Sequence, residues 1–318
     1  MSEIELSKNL ASTEADIITT LKTIRDYIRW GASRLSEYKV FFGHGIATPL
    51  HESATLVMYA LHQPYNLDDC YLSATLTIAE RQQVVAIINK RIIERKPVAY
   101  LTHEATFASL PFYVDERVLV PRSPIAELIE QRFEPWVDEQ QVFDILDLCT
   151  GSACIAIACA YAFPEAQVDA VELSTDAIAV AKINIEKHDL TGQLCLFQSD
   201  LFKQLPERKY DIIVSNPPYV AIQEWKELPE EYHNEPEMGF TGGVSGLDLV
   251  IRILADAIKY LTEQGILIIE VGSSAETLQQ LFPEIPFYWL EFERGGDGVF
   301  LLTAEQVKQY HKLFLSKI

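Results

Sequence analysis

Two patterns of hydrophobic and polar positions divide the chain near residue 104. Before this point apolar residues recur at helical spacing, and after it short apolar runs alternate with helical segments. The first part predicts helices at Thr13 to Trp30, Pro49 to His62 and Thr77 to Arg95. The third of these ends beside Pro97, as a helix should near a proline. We therefore predict a helical domain over residues 1–104.

The second part, residues 105–318, predicts an α/β domain with a mostly parallel seven-stranded sheet and helices on both faces. The strands are predicted at Phe143–Leu148, Val168–Val171, Leu194–Phe197, Asp211–Ser215, Ile266–Val271, Tyr288–Glu291 and Val299–Leu302. The helices are predicted at Ile125–Phe133, Cys154–Tyr161, Thr175–His188, Leu247–Leu261 and Ala275–Leu281. No helical segment separates the last two strands, which predicts antiparallel pairing between them. A hairpin or short connecting strands are predicted between Phe107 and Val120.

Ligand-type residues follow four of these strands, and open α/β sheets bind ligands at the carboxyl ends of their strands. The first strand runs from Asp147 into a turn of small residues that includes Thr150 and Gly151. Such a turn lets a ligand approach the backbone, although a simple structural turn is an alternative because most glycines of the dinucleotide fingerprint are absent. Glu172 ends the second strand and is placed to accept ribose hydroxyls. The alternative is an acidic residue that stabilises a helix N-terminus, with Ser174 as the cap.

The third and fourth strand ends add two further groups. Asp200 is a candidate acceptor for an adenine amino group, with apolar Leu201 against the ring, unless it is a turn aspartate. Asn216-Pro217-Pro218-Tyr219 follows the fourth strand, and its prolines lack N–H groups and fix φ. A stiff turn of this kind can present acceptors to a planar –NH2 group, on which Tyr219 would stack. The turn alone does not separate a nucleobase from a side-chain amide, and an ordinary proline-terminated strand is a further alternative.

Composition and charge narrow the choice of partner. The formal net charge of -20, from 46 acidic and 26 basic residues, disfavours a nucleic-acid binder and suits a basic partner, although it also aids solubility. The five cysteines lack metal or redox spacing and the seven histidines are scattered, so we expect no metal site. Neither a signal peptide nor a spanning apolar run is evident, so we expect a cytoplasmic protein without a membrane partner.

Together these motifs resemble class I S-adenosylmethionine-dependent methyltransferases, and within them the protein glutamine N(5)-methyltransferases. The resemblance runs from about Phe107 to Thr303 and includes Phe107, Val120-Pro121-Arg122, Asp147-Leu148-Cys149-Thr150-Gly151-Ser152, Glu172, Ser199-Asp200 and Asn216-Pro217-Pro218-Tyr219. The helical part, which ends in Arg95-Lys96-Pro97-Val98-Ala99-Tyr100-Leu101, resembles the substrate-recognition domain of this family. The resemblance implies a Rossmann-like fold and the cofactor S-adenosyl-L-methionine, released as S-adenosyl-L-homocysteine.

Within this family, the chain is similar to the branch that methylates the third protein of the large ribosomal subunit. That similarity rests on Pro121-Arg122-Ser123-Pro124-Ile125-Ala126-Glu127, on Cys149 and on Gly295-Gly296-Asp297-Gly298-Val299-Phe300. The release-factor branch, which modifies the Gly-Gly-Gln motif of peptide release factors, instead has Pro-Arg-Pro followed by an acidic residue, Thr and Glu. It remains the alternative within this family. A basic ribosomal protein is therefore the implied substrate. Ala153 stands where the family usually has Gly, and we expect it to be tolerated at negative φ and strained at positive φ.

The resemblance also assigns roles to individual residues. Cofactor binding is assigned to Asp147, Cys149, Thr150, Gly151, Glu172, Asp200, Leu201 and Asn216. Substrate binding is assigned to Phe107, Arg122, Asn216, Pro217, Pro218 and Tyr219, of which Asn216, Pro217 and Tyr219 form the catalytic group. The hypothesis is that the Asn216 side-chain carbonyl and the Pro217 main-chain carbonyl accept the two N–H bonds of a glutamine amide. A core aromatic at Phe107 and a structural brace at Arg122 remain equal alternatives.

Three other function classes remain as alternatives. A DNA methyltransferase acting on an exocyclic amine also carries Asn-Pro-Pro-Tyr, but the net charge of -20 disfavours it. A dinucleotide-dependent oxidoreductase should show a fuller Gly-rich turn. A non-catalytic binding protein would not need ligand-type residues at four strand ends.

Overall fold

The computed structural model describes residues 14–318, which form two compact units. One unit comprises the chain up to Glu104 together with Pro229–Asn234, and the other comprises Ala105–Leu228 with Glu235–Ile318. The predicted helix start at Thr13 lies outside the described residues, as do the N-terminal residues used to look for a signal peptide. No helix within residues 14–318 is long and apolar enough to cross a membrane.

The first unit is helical, with α1 at Ile24–Glu37, α2 at Pro49–Ala60, α3 at Ile78–Glu94 and α4 at Val98–Thr102. The prediction of one continuous helix up to Trp30 is wrong, because the helix over residues 14–20 stops and α1 begins separately. Thr23 accepts a hydrogen bond from the Asp26 N–H at 3.2 Å, and the Asp26 carboxylate accepts one from the Thr23 N–H at 2.9 Å. This reciprocal capping box starts a new helix despite the continuous apolar spacing.

Buried charges attach the segment Pro229–Asn234 to the helices of its own unit. Glu231 accepts a hydrogen bond from the Phe41 main-chain N–H at 3.0 Å and pairs with Arg91 at 3.7 Å and Arg95 at 3.3 Å. Arg91 is fully buried and its Nε donates to Glu52 Oε1 at 2.6 Å. Because these charges are removed from water, their pairing fixes where the segment lies.

The second unit contains the predicted sheet and a small hairpin. The hairpin pairs β1, Ala105–Phe107, with β2, Leu110–Phe112, and residues 113–120 form no strand. The sheet strands are β3 Asp144–Leu148, β4 Gln167–Glu172, β5 Leu194–Gln198, β6 Tyr210–Ser215, β7 Leu261–Glu270, β8 Tyr288–Trp289 and β9 Val299–Thr303. Their order is β5-β4-β3-β6-β7-β9-β8, with β9 antiparallel to β7 and β8. The predicted mostly parallel seven-stranded sheet, including its antiparallel end, is confirmed.

Helices cover both faces of this sheet. They are α5 Ile125–Glu130, α6 Cys154–Ala162, α7 Thr175–Lys187, α8 Ile222–Trp225, α9 Asp248–Asp256, α10 Ala275–Leu281 and α11 Ala304–Leu315. Successive side chains of β3 enter opposite layers, since Ile145 belongs to one hydrophobic core and Leu146 to the other. Both faces are therefore buried, which explains why the central strands are continuous apolar runs.

Two helices of the second unit end well before their predicted last residue. The helix expected to reach Phe133 stops at Glu130, and Phe133 takes a left-handed φ of 56°. The helix expected to reach Leu261 stops at Asp256 and is followed by a 3-10 turn. Leu261 instead opens β7 opposite Tyr210, so pairing in the sheet outweighs local helical preference.

The strand order brings two of the candidate turns together. The chain leaves β3 for β4 and β5 and then returns to β6 on the other side of β3, which makes this a topological switch point. Leu148 and Ser215 are partners in register, and Ser215 Oγ donates to the Leu148 carbonyl at 2.8 Å. The turn after β3 and the turn that starts at Asn216 are thus neighbours at the carboxyl ends of these two central strands.

Candidate active site

Asp147 lies beneath the turn that follows β3. Its side chain is fully buried, and its Oδ2 accepts hydrogen bonds from Thr150 Oγ1 and from the Ala156 main-chain N–H, the latter at 3.1 Å. Its Oδ1 has no hydrogen-bond partner in the described part of the chain. Burial raises the pKa of Asp147 to about 7. In this arrangement Asp147 supports the turn and the start of α6 from below and presents no surface to a ligand.

The turn itself has an unusual backbone. Cys149, Gly151 and Ala153 have φ values of 60°, 55° and 65°, in the left-handed region that favours glycine. A Cβ on Gly151 would meet no atom within 4 Å, so this side of the turn is open to an approaching group. Ala153 has the positive φ at which we expected strain. Burial raises the pKa of the Cys149 thiol, which keeps it protonated.

Glu172 connects the ends of β3 and β4 through backbone N–H groups. Its Oε2 accepts from Gly151 at 2.9 Å, and its Oε1 accepts from Leu173 at 2.8 Å and from Ser174 at 2.9 Å. A carboxylate offers about four acceptor sites, so these three bonds leave about one for a ligand hydroxyl. Binding both hydroxyls of a ribose, as predicted, requires one backbone bond to open. Ser174 caps α7 as predicted, accepting from Ala177 at 3.3 Å.

Asp200 is a paired carboxylate at the end of the turn after β5. Lys203 Nζ contacts one of its oxygens at 2.7 Å and Arg252 Nη2 the other at 2.6 Å. The hydrogen bond from Lys203 lowers the pKa of Asp200, which therefore remains ionised and able to accept. Leu201 is buried and has a φ of 53°, a left-handed conformation fixed in part by Ser199 Oγ, which donates to its carbonyl at 2.6 Å.

The predicted acceptor turn follows β6 directly. Asn216 is partly exposed, and its side chain has no hydrogen-bond partner within residues 14–318. Pro217 is buried, whereas Pro218 and Tyr219 are partly exposed. Because Ser215 is paired to Leu148 of β3, Asn216 begins at the same level of the sheet as Cys149. The amide of Asn216 is thus available to a ligand beside the turn after β3.

Tyr219 is held by Glu270, which lies outside the sequence motifs and was not among the predicted site residues. Its hydroxyl donates to Glu270 Oε1 at 2.9 Å, and Ser274 Oγ donates to its main-chain carbonyl at 2.7 Å. Glu270 is the last residue of β7 and is 5% exposed. It obeys the same strand-end rule as Glu172, so its position at the carboxyl end of a parallel strand was the available signal.

The two other predicted substrate residues lie in supporting positions. Phe107 is 4% exposed and packs in the core against Phe112, with ring centroids 6.4 Å apart. Arg122 Nη1 pairs with Glu235 at 2.9 Å, and its guanidinium lies 5.6 Å from the Phe240 ring. These contacts match the core and bracing alternatives, and a substrate role for either residue stays a prediction. Within the described residues, no group of three or more His, Cys, Asp or Glu is arranged to hold a metal ion.

A Rossmann-like sheet with an antiparallel β9, and polar strand ends around its switch point, defines a class I methyltransferase fold. The Methyltransferase small domain family matches residues 133–229. The chain is 45% identical over 302 residues to the ribosomal protein uL3 glutamine methyltransferase of Francisella tularensis subsp. tularensis, with 95% of this chain and 96% of the relative covered. It is 47% identical over 289 residues to the same enzyme of Neisseria meningitidis serogroup B, with 90% and 95% covered. The chain belongs to the ribosomal protein uL3 glutamine methyltransferase family.

Solved structures resemble the fold more distantly. The catalytic domain of hMettl16 in complex with MAT2A 3'UTR hairpin 6 has a TM-score of 0.48 and 18% identity, covering 60% of this chain and 74% of that one. The T. Thermophilus 16S rRNA N2 G1207 methyltransferase, in complex with AdoMet and guanosine, has a TM-score of 0.40 and 16% identity, covering 63% and 49%.

Proposed function

We propose that this enzyme transfers a methyl group from S-adenosyl-L-methionine to the side-chain amide nitrogen of a glutamine in ribosomal protein uL3. The observation that carries the proposal is the unpartnered Asn216 amide beside the turn after β3, within the described part of the chain. Family membership, at 45% and 47% identity over nearly whole chains, supports the same reaction and substrate.

The residues around the turn after β3 suit the proposed cofactor. The open side of Gly151 admits an elongated ligand close to the backbone, and Glu172 retains acceptor capacity for a hydroxyl. Ionised Asp200 can accept from an exocyclic amino group. Leu201 is only 6% exposed, so its side chain offers a ligand little apolar surface. When bound, S-adenosyl-L-methionine supplies an electrophilic methyl group.

In the proposed reaction, the chain orients a weak nucleophile. The lone pair of a glutamine amide is delocalised, so the nitrogen needs to be held in line with the methyl group. The Asn216 side-chain carbonyl and the Pro217 main-chain carbonyl are the acceptors proposed for its two N–H bonds. They also stabilise the positive charge that develops on nitrogen. Orientation of this kind supplies about 7–11 kcal/mol in favourable cases. The alkylated amide is a strong acid, so no dedicated general base is required.

The electrostatic character of the chain suits this substrate. A formal net charge of -20 repels nucleic-acid phosphates and attracts a basic protein. We further propose that the helical unit ending at Glu104 recognises the substrate protein, as its resemblance to the family's recognition domain implies.

Transfer of a labelled methyl group tests the proposal directly. The protein is incubated with labelled S-adenosyl-L-methionine and, separately, with purified uL3, a release factor or DNA. Label on the glutamine of uL3 is expected, and label confined to either other substrate would overturn the assignment. Asn216→Ala should lose activity by about two to three orders of magnitude, because it removes one of the two acceptors proposed to orient and stabilise the amide nitrogen. Cofactor binding should persist through the other residues assigned to the cofactor. Gln140→Ala, at an exposed amide, is the matched control and should keep wild-type activity.

A further inference from the structure

The hydroxyl of Tyr219 belongs to a buried chain of hydrogen bonds that continues beyond the motif. Tyr219 donates to Glu270 Oε1 at 2.9 Å, and Ser123 Oγ donates to the other oxygen, Oε2. Ser123 is 7% exposed and Glu270 5% exposed, so water has little access to either polar group. Burial raises the pKa of Tyr219, which keeps the phenol protonated and able to donate.

Ser123 makes a second hydrogen bond at the start of α5. The Ile125 main-chain N–H donates to Ser123 Oγ at 3.2 Å. A serine hydroxyl has one hydrogen to donate, and the Glu270 carboxylate is an acceptor when ionised. Ser123 therefore accepts from the Ile125 N–H and donates to Glu270. Through the Glu270 carboxylate, the segment Pro121-Arg122-Ser123-Pro124 is joined to the phenol of Tyr219.

Close packing of glycines holds the Tyr219 ring from one side. A Cβ on Gly272 would lie 2.6 Å from the ring, and a Cβ on Gly298 would lie 2.4 Å from the Gly272 carbonyl oxygen. A Cβ on Gly296 would lie 2.8 Å from Pro124. The Gly295-Gly296-Asp297-Gly298 loop therefore packs against both the residue after Ser123 and the glycine that touches the ring. With the ring packed on this side and its hydroxyl bonded, Tyr219 has a defined orientation.

We propose that Glu270 and Ser123 are positioning residues for Tyr219. Glu270 holds the phenol, Ser123 holds Glu270, and the ring thereby covers the substrate amide that Asn216 binds. Tyr219 lies three residues after Asn216 in the same proline-stiffened turn, so a rotated ring would leave the amide nitrogen less restrained. Ser123 acts through Tyr219 and does not itself contact the substrate.

A double-mutant cycle tests this role, which rests on the proposed uL3 methylation. The rate constant kcat and the KM for uL3 are measured for Ser123→Ala, Tyr219→Phe and the double variant, with melting temperatures as a check on folding. Each single variant should lower kcat about five- to tenfold, the equivalent of one hydrogen bond. If Ser123 acts through the phenol, the double variant should match Tyr219→Phe within about twofold. Ser123→Thr keeps the hydroxyl and should restore most of the rate.

The outcomes of the cycle distinguish the positioning role of Ser123 and Glu270 from the proposed methylation of uL3. If the wild type methylates uL3 and the two losses of kcat multiply in the double variant, to roughly 25- to 100-fold, the positioning role is overturned. The proposed function then stays intact. A Ser123→Ala variant with wild-type kcat would overturn the positioning role as well. A wild type that does not label uL3 removes both claims. If Ser123→Ala does not fold, Glu270→Gln with Tyr219→Phe provides a second cycle. The double variant should again match Tyr219→Phe within about twofold, and losses of kcat that multiply would overturn the role of Glu270.

Discussion

The main-chain N–H of Gly151 donates a hydrogen bond to Glu172 Oε2 across 2.9 Å and thereby joins the turns that follow β3 and β4. The same carboxylate accepts from the N–H groups of Leu173 and Ser174. One side chain thus orders the backbone of both turns before any ligand binds. Pre-ordering of this kind lowers the conformational cost of binding.

Glu172→Ala should weaken S-adenosyl-L-methionine binding, because it removes both a ligand acceptor and the partner of three backbone N–H groups. Hydrogen bonds to charged groups contribute about 1.5–3 kcal/mol, so isothermal calorimetry should show a loss of about 10- to 100-fold in affinity. Glu172→Gln should also weaken binding, because its –NH2 group would face at least one of the same N–H donors. Glu165→Ala, at an exposed acid, is the control. An affinity unchanged by both substitutions would rule out the predicted role of Glu172.

Strand ends were predictable from the sequence because buried parallel strands are short apolar runs with polar residues directly after them. Long-range polar contacts were not, since Glu231 pairs with Arg91 far away in the chain and no local pattern marks either residue. Glu270 was missed although it obeys the strand-end rule, because its strand was expected to continue through Val271. The filled acceptor sites of Glu172 likewise depend on a turn from a neighbouring strand.

The left-handed backbone of Ala153 makes it a site where glycine should be the better residue. Ala153→Gly relieves about 1–2 kcal/mol of backbone strain and loses a buried methyl group worth about 0.8 kcal/mol. We therefore expect the free energy of unfolding to stay unchanged or to rise by up to about 1 kcal/mol in urea denaturation. Ala158→Gly, in the interior of α6, should instead lose about 1–2 kcal/mol. If Ala153→Gly and Ala158→Gly lost equal amounts of unfolding free energy, the backbone at Ala153 would not be strained.

Asp147 should make stability depend on pH. Its pKa is raised from 3.8 to about 7, so between these values the folded protein binds more protons than the unfolded chain. The stability that Asp147 contributes is therefore fully present below its pKa in the unfolded chain. It is lost as the pH rises through its pKa in the folded protein. Asp147→Asn removes this titration and keeps an oxygen for Thr150 and Ala156.

Denaturation at two pH values measures the effect. The unfolding free energy of Asp147→Asn is compared with that of the wild type at each pH. From about pH 5 to about pH 8, the variant should gain up to about 3 kcal/mol relative to the wild type. Gln140→Ala, at an exposed residue with no titrating group, should show no such shift. A constant difference for Asp147→Asn across this range would mean that Asp147 does not titrate with a raised pKa.

Arg91 should be the most sensitive charge of the helical unit, because it is fully buried between Glu52 and Glu231. Arg91→Met keeps much of the side-chain volume but leaves the Glu52 carboxylate without its 2.6 Å partner. Removing one member of a buried ion pair costs about 3–5 kcal/mol, which urea denaturation should detect as a loss of unfolding free energy. Lys90→Ala, exposed on the same helix, should cost little. Adding Glu52→Leu to Arg91→Met should recover part of the loss, because one uncompensated buried charge is removed. No recovery in the double variant would indicate that packing, and not the unpaired carboxylate, causes the loss.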